Sequence, residues 1–299
     1  MANNSSNKKK TKTKFNSLAD ATGKIPYNML NDYMFRIVLQ ENKEALRQII
    51  AAVLHISPDA IRNLKVKNTI IPGQSPSDKE FRMDIRVLFN DNKNVDIELQ
   101  IRDEGNWEYR GLHYLCREFD KNMQRGDIYS KDHAAYQIGF LDFTLFEDND
   151  KFFSAYEMCD IENHYRFNRN FELFVINLNR IDDATDADKA SGLQKWCRFL
   201  KASTYEELKK LAKEEHLMEA LANDIFRRNA DENIQKLCED RDDYLRSEYY
   251  RKKRTAELEQ QLKETTTLLN KALAERDNAV IERDKALQEI AELKSSKNR

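Results

Sequence analysis

Residues 79–102 read KEFRMDIRVLFNDNKNVDIELQIR, and they predict a β-hairpin. Over 81–89 and 95–101 apolar and polar side chains largely alternate, the period of a half-buried strand. Between the two runs, Asn90, Asp91, Asn92, Lys93 and Asn94 form a cluster of turn formers. In the second strand Val95, Ile97, Leu99 and Ile101 share one face, and Asp96, Glu98, Gln100 and Arg102 share the other. Asp84 sits between Met83 and Ile85 and so points away from their face. A loop of about three residues, an odd-length connection that hairpins commonly use, sets Asp84 across from Gln100 and diagonal to Glu98.

Two carboxylates that converge on one spot repel unless a cation sits between them. Hard oxygen ligands of this kind suit Mg²⁺ or Mn²⁺. The same spacing also suits a solvated hairpin face, because acids are abundant on exposed strands.

Composition bounds the function. The chain has 299 residues, room for one large domain or two smaller ones. Lys+Arg number 50 and Asp+Glu 52, for a net charge of -2, so the chain as a whole does not attract nucleic acid. DNA binding then needs a local basic patch, and Lys65, Lys67, Arg82, Arg86, Arg102 and Arg110 are the candidates near the hairpin. A hydrophobic share of 40% supports a core but is low for the length, which points to a long solvated segment. No apolar run approaches the ~20 residues that span a bilayer. The N-terminal lysines precede no apolar h-region, so no secretory signal is read. Cys116, Cys159, Cys197 and Cys238 are widely spaced and form no CxxC pair. They read as reduced thiols of a cytoplasmic protein. The five histidines make no metal-ligand pattern.

Along the chain, residues 1–22 are rich in Asn, Ser and Lys and predict a disordered basic arm. Phe35, Val38 and Leu39, then Leu46, Ile49, Ile50 and Val53, recur at helical spacing. Asn31 or Asp32 serves as N-cap, and Asn42 breaks the run into two helices. Residues 61–71 read as a strand and 72–76 as a loop. A helix follows the hairpin from near Gly105 to about Arg125, with Gly126 ending it as a C′ residue. On that helix Arg110 and Tyr114 share a face close to the end of the hairpin. Residues 136–143, 152–158 and 171–178 read as further strands, so 23–185 is an α/β core with a mixed sheet. From about Asp186 the pattern is helical, with an extension over 186–250 and a charged tail over 251–299. In the tail Leu262, Leu269, Leu273, Val280, Leu287 and Ile290 approximate a heptad seam, weakened where Arg276 and Arg283 fall on it. The expectation is a long helix of marginal coiled-coil propensity through which a homodimer could form.

Several pieces in order carry a resemblance. Asn31-Asp32-Tyr33-Met34-Phe35 opens a helix, Asp84 stands in a strand, and Glu98-Leu99-Gln100 follows. Then come Arg110-Gly111-Leu112-His113-Tyr114, Gln124-Arg125-Gly126-Asp127-Ile128-Tyr129 and Gln137-Ile138-Gly139-Phe140. Together they resemble the Rpn family of recombination-promoting nucleases, also described as transposases, in the PD-(D/E)XK superfamily. The resemblance covers roughly 27–250. It rests on the order and spacing of the pieces, since D…ExQ alone is common.

The resemblance implies a restriction-endonuclease-like core, with a central mixed β-sheet flanked by helices. It also implies a Mg²⁺-dependent DNA endonuclease, with Mn²⁺ as a substitute. Asp84 and Glu98 then bind the metal, and the Leu99 carbonyl is a further ligand. Gln100 stands where the broad superfamily has Lys. An amide brings neither positive charge nor a base at neutral pH, but it can orient a water. A divalent ion would lower the pKa of that attacking water. Asp32 is a candidate additional acid, in competition with its reading as a cap. Arg110 and Tyr114 are candidate phosphate contacts, in competition with a helix face packed on the sheet, and Gln124 is a weaker candidate. Two other functions fit the same sequence. One is a catalytically silent descendant that binds DNA or protein through its helical tail, and the other is a coiled-coil scaffold resting on residues from 258 onward.

Overall fold

The computed structural model describes residues 15–67, 85–120 and 132–297, the last six by backbone alone. Two units form, Met1–Tyr244 and Leu245–Arg299. The first is built on a six-stranded mixed sheet. Its strands are β1 (Leu64–Lys67), β2 (Ile85–Phe89), β3 (Lys93–Gln100), β4 (Ala134–Leu141), β5 (Phe153–Glu157) and β6 (Phe171–Asn177). They run in the order β1-β2-β3-β4-β6-β5. β3, β4 and β6 are mutually parallel, whereas β1, β2 and β5 join antiparallel.

Alternation in the strands sorts two faces. Val95, Ile97 and Leu99 line up with Tyr136, Ile138 and Phe140 across β3 and β4. This apolar face joins the main core with α1 (Asp32–Glu41) and α2 (Lys43–Val53), and Phe35 meets Phe140 edge-to-face at 6.4 Å. The opposite face carries α3 (Trp107–Asp120), whose Trp107 packs with Leu141 and Val175 in a smaller cluster.

Helix ends follow local chemistry. Asn31 caps α1 by accepting from the Met34 amide at 3.0 Å, and Asn42 caps α2 by accepting from Ala45 at 3.0 Å. Each such cap contributes about 1 kcal/mol. Further α-helices among the described residues are α4 (Asp186–Ala190), α5 (Leu193–Lys201), α6 (Tyr205–Ala212), α7 (His216–Ala230) and α8 (Glu232–Lys297). Thr185 and Thr204 form capping boxes with Asp188 and Glu207 at the starts of α4 and α6.

Several expectations are revised. The hairpin loop is Asn90 to Asn92, with positive φ at Asn90 and Asp91, so Phe89 already pairs with Lys93. Asn94 belongs to β3 rather than to the turn. Ile85 therefore pairs with Ile97, a register two residues away from the expected one, and a shift of two preserves the faces. The end of the basic arm is not disordered where it is described. Leu18 and Ala21 are buried, Phe15 meets the Tyr205 ring at 6.2 Å, and Lys209 donates to the Ala21 carbonyl. Residues 1–14 lie outside the described residues.

Candidate active site

Gly139 on β4 is where the site's geometry begins. A Cβ there would stand 2.1 Å from Trp107 Cζ2, so only glycine lets the indole lie on the strand. That contact seats the first turn of α3 on the face opposite the main core. One turn later Arg110 reaches Glu98, the β3 residue paired with Gly139. Its Nη2 donates to Glu98 Oε1 and also to Gln100 Oε1. Two oxygens thus converge on one cationic nitrogen. The Gln100 amide nitrogen donates to the Arg102 carbonyl at 2.8 Å, which turns its oxygen toward Arg110.

The polar face of β3 is buried, not solvated. Asp96 is 2% exposed and Glu98 3%. Their neighbours form a polar layer under α3. Lys67 donates to Asn94 at 3.0 Å, and Arg86 donates to Glu118 of α3 at 2.7 Å. Burial, and then repulsion from Arg86, lowers the Lys67 pKa. Asp96 is in register with Arg86 on one side and Gln137 on the other. Gln137 is fully buried, and neither of its amide atoms has a hydrogen-bond partner among the described residues. At the carboxyl end of the strands the Asp142 amide donates to the Gln100 carbonyl at 2.9 Å, and Lys201 sits 2.8 Å from the Asp142 carboxylate.

The structure brings Glu98, Gln100 and Arg110 together. Leu99 lies between the first two with its side chain in the main core. Tyr114 is one turn further along α3 and half-buried. Asp32 is placed elsewhere. It belongs to α1, on the other side of the sheet, and its Oδ2 accepts from Arg241 Nε of α8 at 3.0 Å. Burial raises its pKa despite that arginine. The cap role belongs to Asn31, not Asp32. Asp84, Gln124 and Arg82 lie outside the described residues. Of the expected phosphate contacts, Lys67, Arg86 and Arg110 have the protein partners named above. Lys65 is 3.9 Å from Asp91 and stays largely exposed.

The chemistry of this donor set, hard oxygen, is of the kind a divalent cation takes. Glu98 offers a carboxylate and Gln100 an amide oxygen, both already directed at a positive centre. The buried Gln137 amide is a further oxygen donor on the same face. Among the described residues no group of three or more His, Cys, Asp or Glu could hold a metal. A complete shell would draw on further amide or main-chain oxygens.

Sequence reading did not single out Gln137 or Glu118 as parts of this layer. Gln137 carries one signal, a lone polar residue inside the apolar run AAYQIGFL. Glu118 carries none, since a charge on an amphipathic helix ordinarily faces water.

A family model described as PD-(D/E)XK nuclease family transposase matches residues 29–256. The comparison with curated proteins gave no match, and neither did that with solved structures. No helix among the described residues is long and apolar enough to cross a membrane.

Proposed function

The chain belongs to the PD-(D/E)XK nuclease family transposases, and from that premise we propose that it is a metal-dependent DNA endonuclease. The observation that carries this reading is the convergence of the Glu98 and Gln100 oxygens on one cationic centre at the end of β3. Glu98 and Asp84 would hold Mg²⁺, or Mn²⁺ in its place, with the Leu99 carbonyl as a further ligand. Asp84 directly precedes Ile85, and the β3 partner of Ile85 is Ile97, next to Glu98. Sequence adjacency therefore supports Asp84 as the second acid. When bound, the ion supplies Lewis-acid stabilisation of charge on the phosphate and lowers the pKa of water.

The chain's own residues do the rest. Gln100 orients the attacking water through its amide. Arg110 carries a permanent positive charge on a side chain 28% exposed, suited to a phosphate oxygen. The same guanidinium pairs with Glu98. Tyr114, one turn along α3, would contact the DNA backbone, and Lys65 offers an exposed cation on β1. The membership in a transposase family favours a role in DNA recombination or mobile-element biology.

Purified protein incubated with supercoiled plasmid and Mg²⁺ or Mn²⁺ should nick or linearise it, and EDTA should stop the reaction. Glu98→Gln and Asp84→Asn should each lower the rate at least ~100-fold with circular dichroism unchanged. Undiminished cleavage by both variants would sink the proposal. If the native chain never cuts, the Arg110–Glu98 pair is structural and the fold serves as a binding module.

A further inference from the structure

The unit Leu245–Arg299 is helical throughout its described backbone, and every residue from 251 to 291 is exposed. Leu262, Leu269 and Leu287 are each more than half exposed, at 68%, 56% and 56%. With Leu273, Val280 and Ile290 they fall on one seam, whose positions recur at alternating steps of four and three once Thr266, Arg276 and Arg283 are included. This is a heptad stripe with Leu262, Leu269, Arg276, Arg283 and Ile290 at d, and Thr266, Leu273, Val280 and Leu287 at a. From 262 to 290 it runs about 42 Å along the helix. A helix of this length with an uncovered apolar stripe needs a partner, because helical stability in water comes mainly from burying such a face.

Charge identifies the partner. Arg276 and Arg283 occupy d in successive heptads, and each is followed at e by an aspartate, Asp277 and Asp284. In the single chain each arginine bends onto its own neighbour, Arg276 to Asp277 at 2.5 Å and Arg283 to Asp284 at 2.6 Å. Both pairs are exposed and join adjacent residues, so each is weak and its groups remain open to a second partner. In a parallel coil each d side chain packs beside the partner's d and e residues. Two identical strands in register would bring the two arginines of a layer together at d, with both aspartates at e beside them to offset that repulsion. An antiparallel arrangement would instead press each arginine against an apolar a residue, and a shifted register would break the two repeats.

We propose that residues 262–290 form a parallel, in-register coiled coil with a second copy of this chain, its orientation set by the Arg276–Asp277 and Arg283–Asp284 layers. The residues at g, Thr265, Ala272, Ala279 and Ala286, are small, so no charges there favour another partner. This proposal stands apart from the nuclease reading, since it uses neither Glu98 nor Arg110.

The test uses the full chain with Cys116→Ser and Cys159→Ser. Val280→Cys at a should oxidise to a disulfide-linked dimer at least about tenfold faster than Asn278→Cys on the outer surface. Arg276→Asp with Arg283→Asp should weaken self-association about tenfold or more in sedimentation equilibrium. Adding Asp277→Arg and Asp284→Arg should restore it. A monomer mass for the full chain would overturn the proposal. So would a dimer in which Val280→Cys fails to link or the charge reversals have no effect.

Discussion

Arg110 of α3 and Glu98 of β3 form an ion pair beneath the helix, and the same guanidinium nitrogen also donates to the Gln100 amide oxygen. Glu98 is almost wholly buried, so removing that cation would leave a desolvated carboxylate less well compensated. Arg110→Met should then cost about 2 kcal/mol in urea unfolding, below the full range for a buried pair because the guanidinium is part exposed. Glu98→Gln in that background should recover much of the loss. Mn²⁺ should raise the melting temperature of Arg110→Met more than that of the native chain, because the arginine no longer competes with the ion for the Glu98 and Gln100 oxygens. Equal metal effects on both proteins would show that the oxygens do not bind the ion.

Gly139 and Trp107 are coupled by close approach. Gly139→Ala should destabilise the chain by about 3 kcal/mol, because a rigid indole cannot yield the space. In a Trp107→Leu background the same substitution should cost under ~1 kcal/mol. Additive losses would mean that the contact does not govern the docking of α3.

Asp32 offers a structural role that can be separated from catalysis. Asp32→Ala removes a buried carboxylate beside the buried Arg241 and Arg36, and a fall of about 3 kcal/mol is expected. Plasmid cleavage well below the lowered melting temperature should persist. Loss of cleavage with unchanged stability would return Asp32 to the catalytic set.

Alkaline stability follows from two buried groups. Burial pushes Tyr136 from 10.0 up to about 12, and burial together with nearby Asp242 and Asp32 pushes the Cys238 thiol from 9.0 up to about 12. A folded value above the unfolded one contributes stability that is complete below the unfolded value. That contribution is lost as pH rises through the folded value. Denaturant midpoints should thus fall between pH 9 and 12, and Tyr136→Phe should flatten the upper part of the fall. An identical profile in that variant would exclude the tyrosine as a cause.

The hairpin and the break between the first two helices at Asn42 were legible in the sequence because each depends on local patterns, while the first cap was narrowed to Asn31 or Asp32. Side chains alternate along any strand, and Asn31 and Asn42 need only the amides three residues ahead. Membership of the nuclease family was legible from the order of short motifs. Tertiary structure alone decided the rest. Whether the Glu98 face met water or protein depended on where α3 landed, and that depended on Trp107 finding Gly139, 32 residues away in the chain. The register turned on positive φ at Asn90 and Asp91, which composition permits but does not compel. Asp32 met Arg241 across 209 residues, a pairing that no local pattern encodes. Periodicity is set by the geometry of one element, whereas burial and ion pairing are set by which elements meet.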